Sequence, residues 1–487
     1  MAPSLIHLPL NSLDHIAPRF LPPSLIYLKL KQGVSAADAF AHLQKGFYRT
    51  FLQVPWLNGK VHSQSCNAPG WRPGQLEIRY SPVTSDGSRP YQLRFNEISS
   101  TTCTQYSDIE ESGFALDAFE DEALLGRQFS GCILVMSLCG SVTDGTAMQM
   151  VLKLWADHCR NLYDAEASGT VLPLESLDRS IMDRIWEKEG KISPPHQIDQ
   201  EIWRLVGLDS FNKTAARAND DVLVPQRVTL NNSSQSMKHI LFYMPQAAYA
   251  ALRKECATEL RMTNVLLSAS DVVCAFIWRS VMKAWVAAHV YNTKNNGTEH
   301  GEEAGNDEPN LAELFMPFDA RPFFGPLGMP PSYLGNVNFE HRPTIPLTEL
   351  VARDMSIVSL TRTIRASASR AQDCGSILDA YALLQAEPDY SPLQLQSTCV
   401  APPAVAILDS LSFPFSDTSF GDSVFGNGGK PDAFRPLMGA LNRMFRTCFI
   451  LPQKKHGGIE FLMTLSETEV DYLLQDVEFN RYAFPIA

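Results

Sequence analysis

The segment whose residue types and spacing carry most chemistry is Gly140-Ser-Val-Thr-Asp144-Gly145. It follows a near-continuous apolar run, Gly131-Cys-Ile-Leu-Val-Met-Ser-Leu138, of strand length. It precedes a stretch with helical spacing, in which Met148, Val151, Leu152 and Trp155 form one apolar stripe. Strand, turn and helix in that order place the turn at a sheet end, and Asp144 or Thr146 can cap the helix. The run itself reads as a strand buried on both faces. A carboxylate so placed can hold geometry. Activating an alcohol or amine near neutral pH additionally calls for a base such as imidazole, and the segment contains no histidine.

Other candidate motifs fail on residue type. Gly426-Asn-Gly-Gly-Lys430-Pro431 lacks the Ser or Thr that a phosphate-binding loop needs after its lysine, and Val424 stands where a glycine is required. Gly421-Asp-Ser-Val-Phe425 lacks the final glycine of a hydrolase nucleophile elbow. No His-Glu-x-x-His and no paired Cys/His spacing suggests a metal. His158, near Trp155, reads as an ordinary helix residue.

The elements that must position the motif alternate along the chain. Ser24–Leu30 reads as a strand and Ala36–Leu52 as a helix, with Ala39, Leu43, Phe47 and Phe51 on one face. Pro55 to Val61 leads into a second strand region. In the second half, His239–Tyr243 reads as a strand, with helices from about Ala247 and over 264–288. Residues 291–310 hold almost nothing that can be buried and read as a mobile surface loop. Cys448–Leu451 and Ile459–Met463 form a hairpin, and the last helix opens on the capping box Ser466-Glu-Thr-Glu469.

A length of 487 residues predicts two large domains. These are read as an N-terminal domain over 1–205, a connector over 206–230 and a C-terminal domain over 231–487. A segment near 370–410 is a candidate to cross over to the N-terminal domain. A net charge of −12 argues against a nucleic-acid partner, whose phosphates require a basic face. The ten cysteines are scattered and read as reduced thiols. With no signal peptide and no apolar stretch near the ~20 residues of a membrane span, a cytoplasmic chain with no membrane partner is predicted.

Several segments together resemble one family, the BAHD-type acyltransferases, in the longer form associated with fungal trichothecene acetyltransferases. Leu138 to Gly145 is similar to the family's His-x-x-x-Asp-Gly signature, and Asn264 to Trp278 to its Ser/Thr-rich helix. Phe318-Asp-Ala-Arg321 through Tyr333-Leu-Gly-Asn336 resembles its Asp-x-Arg and Tyr-x-Gly-Asn region. Phe413 to Gly421 resembles its Asp-Phe-Gly segment, and Leu13-Asp14 to Arg19 and Phe51 to Gly59 fit its opening. The resemblance implies an α/β (α+β) fold of two chloramphenicol-acetyltransferase-like domains, each a mixed sheet flanked by helices, with a channel between them. It further implies that the motif Asp144 is structural and pairs with Arg321.

Two positions depart from the family. Gly140 occupies the place of the general-base histidine, and Ser419 that of the Asp-Phe-Gly aspartate, which puts thioester binding in doubt. Three readings of Gly140 follow. The channel is repurposed for a step needing shape and polarisation, such as cyclisation or cycloaddition of a natural-product precursor, with no cofactor required. Alternatively, acyl transfer persists with another base, for which His15, Cys139 and Tyr333 are the candidates, and with acyl-CoA as co-substrate met by Ser270, Gly428 and Lys430. In the third reading the chain is a non-catalytic or inactivated family member. A small-molecule natural product is the expected partner in each, and two domains sharing one interface imply a monomer.

Overall fold

The computed structural model describes residues 5–17, 23–83, 92–96, 106–114, 131–163, 171–190, 198–208, 237–260, 268–295, 310–393, 403–437, 446–453 and 457–486. Most of the predicted connector over 206–230 lies outside these residues.

Among the described residues, three sheets organise the chain. In the N-terminal half, Ile6–Pro9, Leu76–Tyr80 and Lys60–Ser63 form one antiparallel sheet in that spatial order. A second places Ser24–Lys29 between Gly131–Met136 and Ala433–Pro436. The third has eight strands and belongs to the C-terminal half. It is mixed, because Ala404–Asp409 runs parallel to both Leu311–Asp319 and Thr447–Ile450, whereas Ile459–Ser466 runs antiparallel to Met237–Met244. Every residue of Ile459–Ser466 is buried, as a central strand covered on both faces requires.

Helices cover these sheets. Ala36–Gln53 opens on a capping box between Ser35 and Asp38 and buries Ala39, Leu43 and Phe51. It packs on Gly145–Arg160, with Trp155 donating its indole N–H to the Leu43 carbonyl at 2.9 Å. Gly46 permits this approach, since a Cβ there would overlap Cys159. In the C-terminal half, the long helix Ala269–Asn295 buries Val272 to Met282. A separate apolar cluster joins the halves: Leu13 and Ile16 meet Ile181, Met182, Phe324, Tyr333 and Tyr381.

Several elements differ from the sequence reading. Gly131–Met136 pairs on one side only among the described residues, and Val135 is 40% exposed, so this strand is not buried on both faces. An apolar run cannot by itself tell a central strand from an edge that walls a cavity. The helix expected to end at 288 continues to Asn295. Once nucleated by its buried stretch, a helix gains a hydrogen bond for each residue added, so polar residues extend it readily. The rest of the predicted loop, residues 296–309, lies outside the described residues. The strand that joins the N-terminal sheet from the second half is Ala433–Pro436, later than the 370–410 segment. Within that earlier segment, the helix Cys374–Ala386 and Tyr390 pack against the N-terminal helix Ser12–Ile16. A buried ion pair at 2.9 Å between Arg435 and Glu460 ties the crossover strand to the large sheet.

Candidate functional site

Asp144 caps the helix Gly145–Arg160, one carboxylate oxygen accepting from the Ala147 N–H at 2.8 Å. The same carboxylate receives Nη2 of Arg321 on both oxygens at 3.0 Å and the Val337 N–H at 2.9 Å. Arg321 in turn donates from Nε to the Tyr333 carbonyl at 2.8 Å, from Nη2 to the Gly335 carbonyl at 2.7 Å and from Nη1 to Asp319 at 2.7 Å. Asp144 and Arg321 are both buried, so their charges are tolerated because this network answers their polar atoms.

The Tyr-Leu-Gly-Asn turn works as a hub. Gly335 lets the chain fold back over Tyr333, whose hydroxyl and ring a Cβ at 335 would overlap. Asn336 donates its side-chain amide to Asp14 at 2.8 Å and to the Gly140 carbonyl at 2.9 Å. The Gly140 turn, the N-terminal helix and the 333–337 turn are thereby fastened at one point. Asp14 closes a capping box with Asn11, and Arg179 stands 3.6 Å from it with its guanidinium stacked over Trp56. The pattern Asn11-Ser-Leu-Asp14 is a legible helix start, but nothing local marks Arg179 or the burial of Asp14.

Burial pushes the Asp14 carboxyl up to about 6, against the lowering influence of Arg179 and of hydrogen bonds from Asn336 and Asn11. A carboxyl whose folded value lies above its unfolded value stabilises the fold fully below about 4 and loses that contribution as pH rises through about 6. Buried His158, held down to about 4 by desolvation and Arg49, acts in the opposite direction over the same window. The informative quantity is therefore a difference between proteins. Between pH 4 and 7 the unfolding free energy of Asp14→Asn should shift by about 2 kcal/mol in the variant's favour relative to the parent chain. Denaturant titrations at several pH values read this directly, and a pH-independent difference would refute it.

The three substitute bases fare differently. His15 is buried, with Nδ1 against the Asn11 carbonyl at 2.7 Å and Nε2 accepting from the Leu76 N–H at 2.9 Å. That pattern places the proton on Nδ1 and commits both nitrogens to the backbone. Tyr333 is fully buried, its hydroxyl accepting from the Asn11 amide at 3.3 Å, and burial pushes its phenol well above the ordinary range. Cys139 is half-buried and lines a cavity of about 420 Å³. That cavity is walled by aromatic residues of the first helices, by Val135 and Met136, and by Val142 and Thr143 of the Gly140 turn. His158 bonds Thr50 and Gln53 within the helix pair.

The candidate thioester-contact residues lie on two different elements. Ser270 lies at the start of the long C-terminal helix, its hydroxyl 3.6 Å from the Cys274 sulfur. Gly428 and Lys430 sit on the loop before the crossover strand, and Lys430 lines a second cavity of about 460 Å³ with Asp432 and Arg435. Ser419 fastens that loop, donating to the Gly428 carbonyl at 2.7 Å and accepting from the Gly421 N–H at 3.2 Å. Its hydroxyl serves loop closure without a charge. Among the described residues no group of three His, Cys, Asp or Glu side chains could hold a metal ion, and no helix is long and apolar enough to cross a membrane.

Comparisons agree with this architecture. The model of the Transferase family matches residues 129–480. The isocyanide synthase-NRPS hybrid crmA of Aspergillus fumigatus is 29% identical over 97% of this chain, which spans 31% of that relative's length. The enoyl-CoA isomerase/hydratase claC of Penicillium crustosum is 24% identical over 95% of this chain, which spans 50% of it. The chain thus spans half or less of the length of these two curated relatives. A crystal structure of F. graminearum TRI101 complexed with coenzyme A and deoxynivalenol shares the fold, with a TM-score of 0.71 at 17% identity over 99% of this chain and 100% of that one. Matched from before the motif strand to beyond the final capping box, and sharing the two-domain mixed α/β architecture, the chain belongs to the Transferase family of BAHD-type acyltransferases.

Proposed function

We propose that this chain is an enzyme of fungal specialised metabolism that holds and orients a natural-product precursor at the Gly140 turn for a cyclisation or cycloaddition, without deprotonating an acceptor. The observation that carries this reading is the environment of Gly140. Asp144, Arg321, Asn336 and Asp14 form a closed buried network around a turn that bears no side chain at the base position, while His15 and Tyr333 are committed elsewhere. Orientation in a fixed pocket lowers a barrier without a proton acceptor, since it removes the entropy of bringing reacting atoms together. The similarity to crmA, a synthase hybrid by name, supports a place in specialised metabolism. The proposed enzyme acts as a cytoplasmic monomer and requires no cofactor.

The test is a paired assay. Linear polyene and amide precursors are incubated without CoA and followed by mass spectrometry for isomerisation, while a panel of acyl-CoAs is followed for released thiol. Rearrangement without CoA supports the reading, and turnover only with an acyl-CoA overturns it. Persisting acyl transfer is the second reading, favoured by the fold shared with the CoA-bound TRI101 structure and by Cys139 on the cavity wall beside Gly140.

A further inference from the structure

The cavity beside the Gly140 turn has a deep end and a mouth. Phe51 of the helix Ala36–Gln53 and Val151 and Trp155 of the helix Gly145–Arg160 wall it, together with Trp56 and with Ile78 and Met136 of the two N-terminal sheets. All six are buried. The exposed members of the lining are Lys60, Val135 and Ser137, so the cavity opens to solvent at the strands Lys60–Ser63 and Gly131–Met136.

The surface that an occupant meets is mostly carbon. Trp56, Thr143 and Gln92 belong to the lining, but the indole nitrogen, the hydroxyl and the amide oxygen are themselves buried, so none of these three atoms forms part of the cavity surface. The amide nitrogen of Gln92 is spent on Asn58 at 2.9 Å. Among the described residues the lining holds one charged side chain, Lys60, and it stands exposed at the rim. An ion inside would lose its hydration with no buried counter-charge to replace it. Water is poorly held as well, since a buried molecule needs about two to four polar partners. Size and shape narrow the occupant further. Because an apolar cavity of about 150 Å³ holds one benzene, the 420 Å³ here hold about two or three such rings. Phe47 meets both Phe51 and Trp155 with centroids 4.5 Å apart and ring planes tilted by 48° and 41°, so the wall offers ring faces and edges together.

We propose that this cavity holds the uncharged aromatic or polyene part of the substrate, with a charged or strongly polar end left outside at Lys60 and Ser137. Cys139, Val142 and Thr143 share the lining, so the bound hydrocarbon lies against residues on both sides of Gly140 in the chain. The inference rests on the function proposed above and deepens it by naming the substrate class. It is measured as binding without turnover, so a failure to bind and a failure to rearrange a precursor are separate results.

The probe is N-phenyl-1-naphthylamine, an uncharged molecule of naphthalene and phenyl rings whose emission rises in apolar surroundings, titrated into the full chain. Its counterpart 8-anilino-1-naphthalenesulfonate carries the same rings and a sulfonate. Saturable binding of the uncharged probe is expected, with the sulfonate bound at least about tenfold more weakly. Val135→Trp enlarges a side chain at the mouth, at a position 40% exposed, and should weaken the uncharged probe about tenfold at an unchanged melting temperature. No saturable rise up to the solubility limit of the uncharged probe overturns the proposal, as does equal affinity for the sulfonate. Parent-like binding by folded Val135→Trp overturns it too, because the probe would then sit elsewhere.

Discussion

Gly140→His is expected to raise thiol release from acyl-CoA in the presence of a suitable hydroxyl acceptor by about two to four powers of ten over the parent chain, the usual contribution of a positioned general base. The surrounding frame is what makes so large a gain attainable from one side chain. The Gly140 carbonyl is held by Asn336, the helix after the turn is capped by Asp144, and Asp144 is locked by Arg321 and the Val337 N–H. None of these bonds involves a side chain at position 140, so the substitution leaves each available. Thiol detection with several acyl-CoAs and alcohols measures the gain, and a melting curve checks that the variant is folded. A folded variant with no gain would mean that the fold does not bring thioester and acceptor to this turn, which would count against a merely damaged acyltransferase. A gain that abolishes CoA-independent conversion would show both chemistries competing for the same space.

The second large effect concerns stability. Arg321→Met should lower the unfolding free energy by about 3–5 kcal/mol, because it leaves Asp144 as a buried carboxylate without its counter-charge. The same change strips the Tyr333 and Gly335 carbonyls of donors and releases Asp319. Guanidinium denaturation of both proteins gives the difference. The double variant Arg321→Met with Asp144→Leu should recover part of it, since removing both charges eliminates the orphaned one. A loss below about 1 kcal/mol in the single variant would mean that water reaches the pair and solvates Asp144.

The fate of the alternative bases illustrates the limit of reading chemistry from proximity in sequence. His15 and Tyr333 lie in the segments that resemble the family's opening and its Tyr-x-Gly-Asn region, and both are brought close to the Gly140 frame. Each is nonetheless consumed by structure. His15 is bonded to residues four and 61 positions away, and Tyr333 is folded under its own turn by Gly335. Cys139, by contrast, lines the cavity beside the turn.

By itself the sequence determined the local pieces: the turn with Asp144 as helix cap, the helix of Ala39, Leu43 and Phe51, the final hairpin and the Ser466–Glu469 capping box. These depend on hydrogen bonds and side-chain periodicity within a few residues, so composition and spacing suffice to specify them. The order of its motifs also carried the family, and with it the reading of Gly140 as the place of the general base. Only the tertiary structure decided what surrounds that position. Asp144 meets Arg321 across 177 residues and Gly140 meets Asn336 across 196, while burial, outweighing Arg179 and the hydrogen bonds, raises Asp14 to about 6. Equally, Gly131–Met136 became a cavity wall, and Trp56, Gln92 and Thr143 came to share it. Burial and long-range pairing are properties of the packed chain, set by which surfaces exclude water together, and no window of sequence contains them.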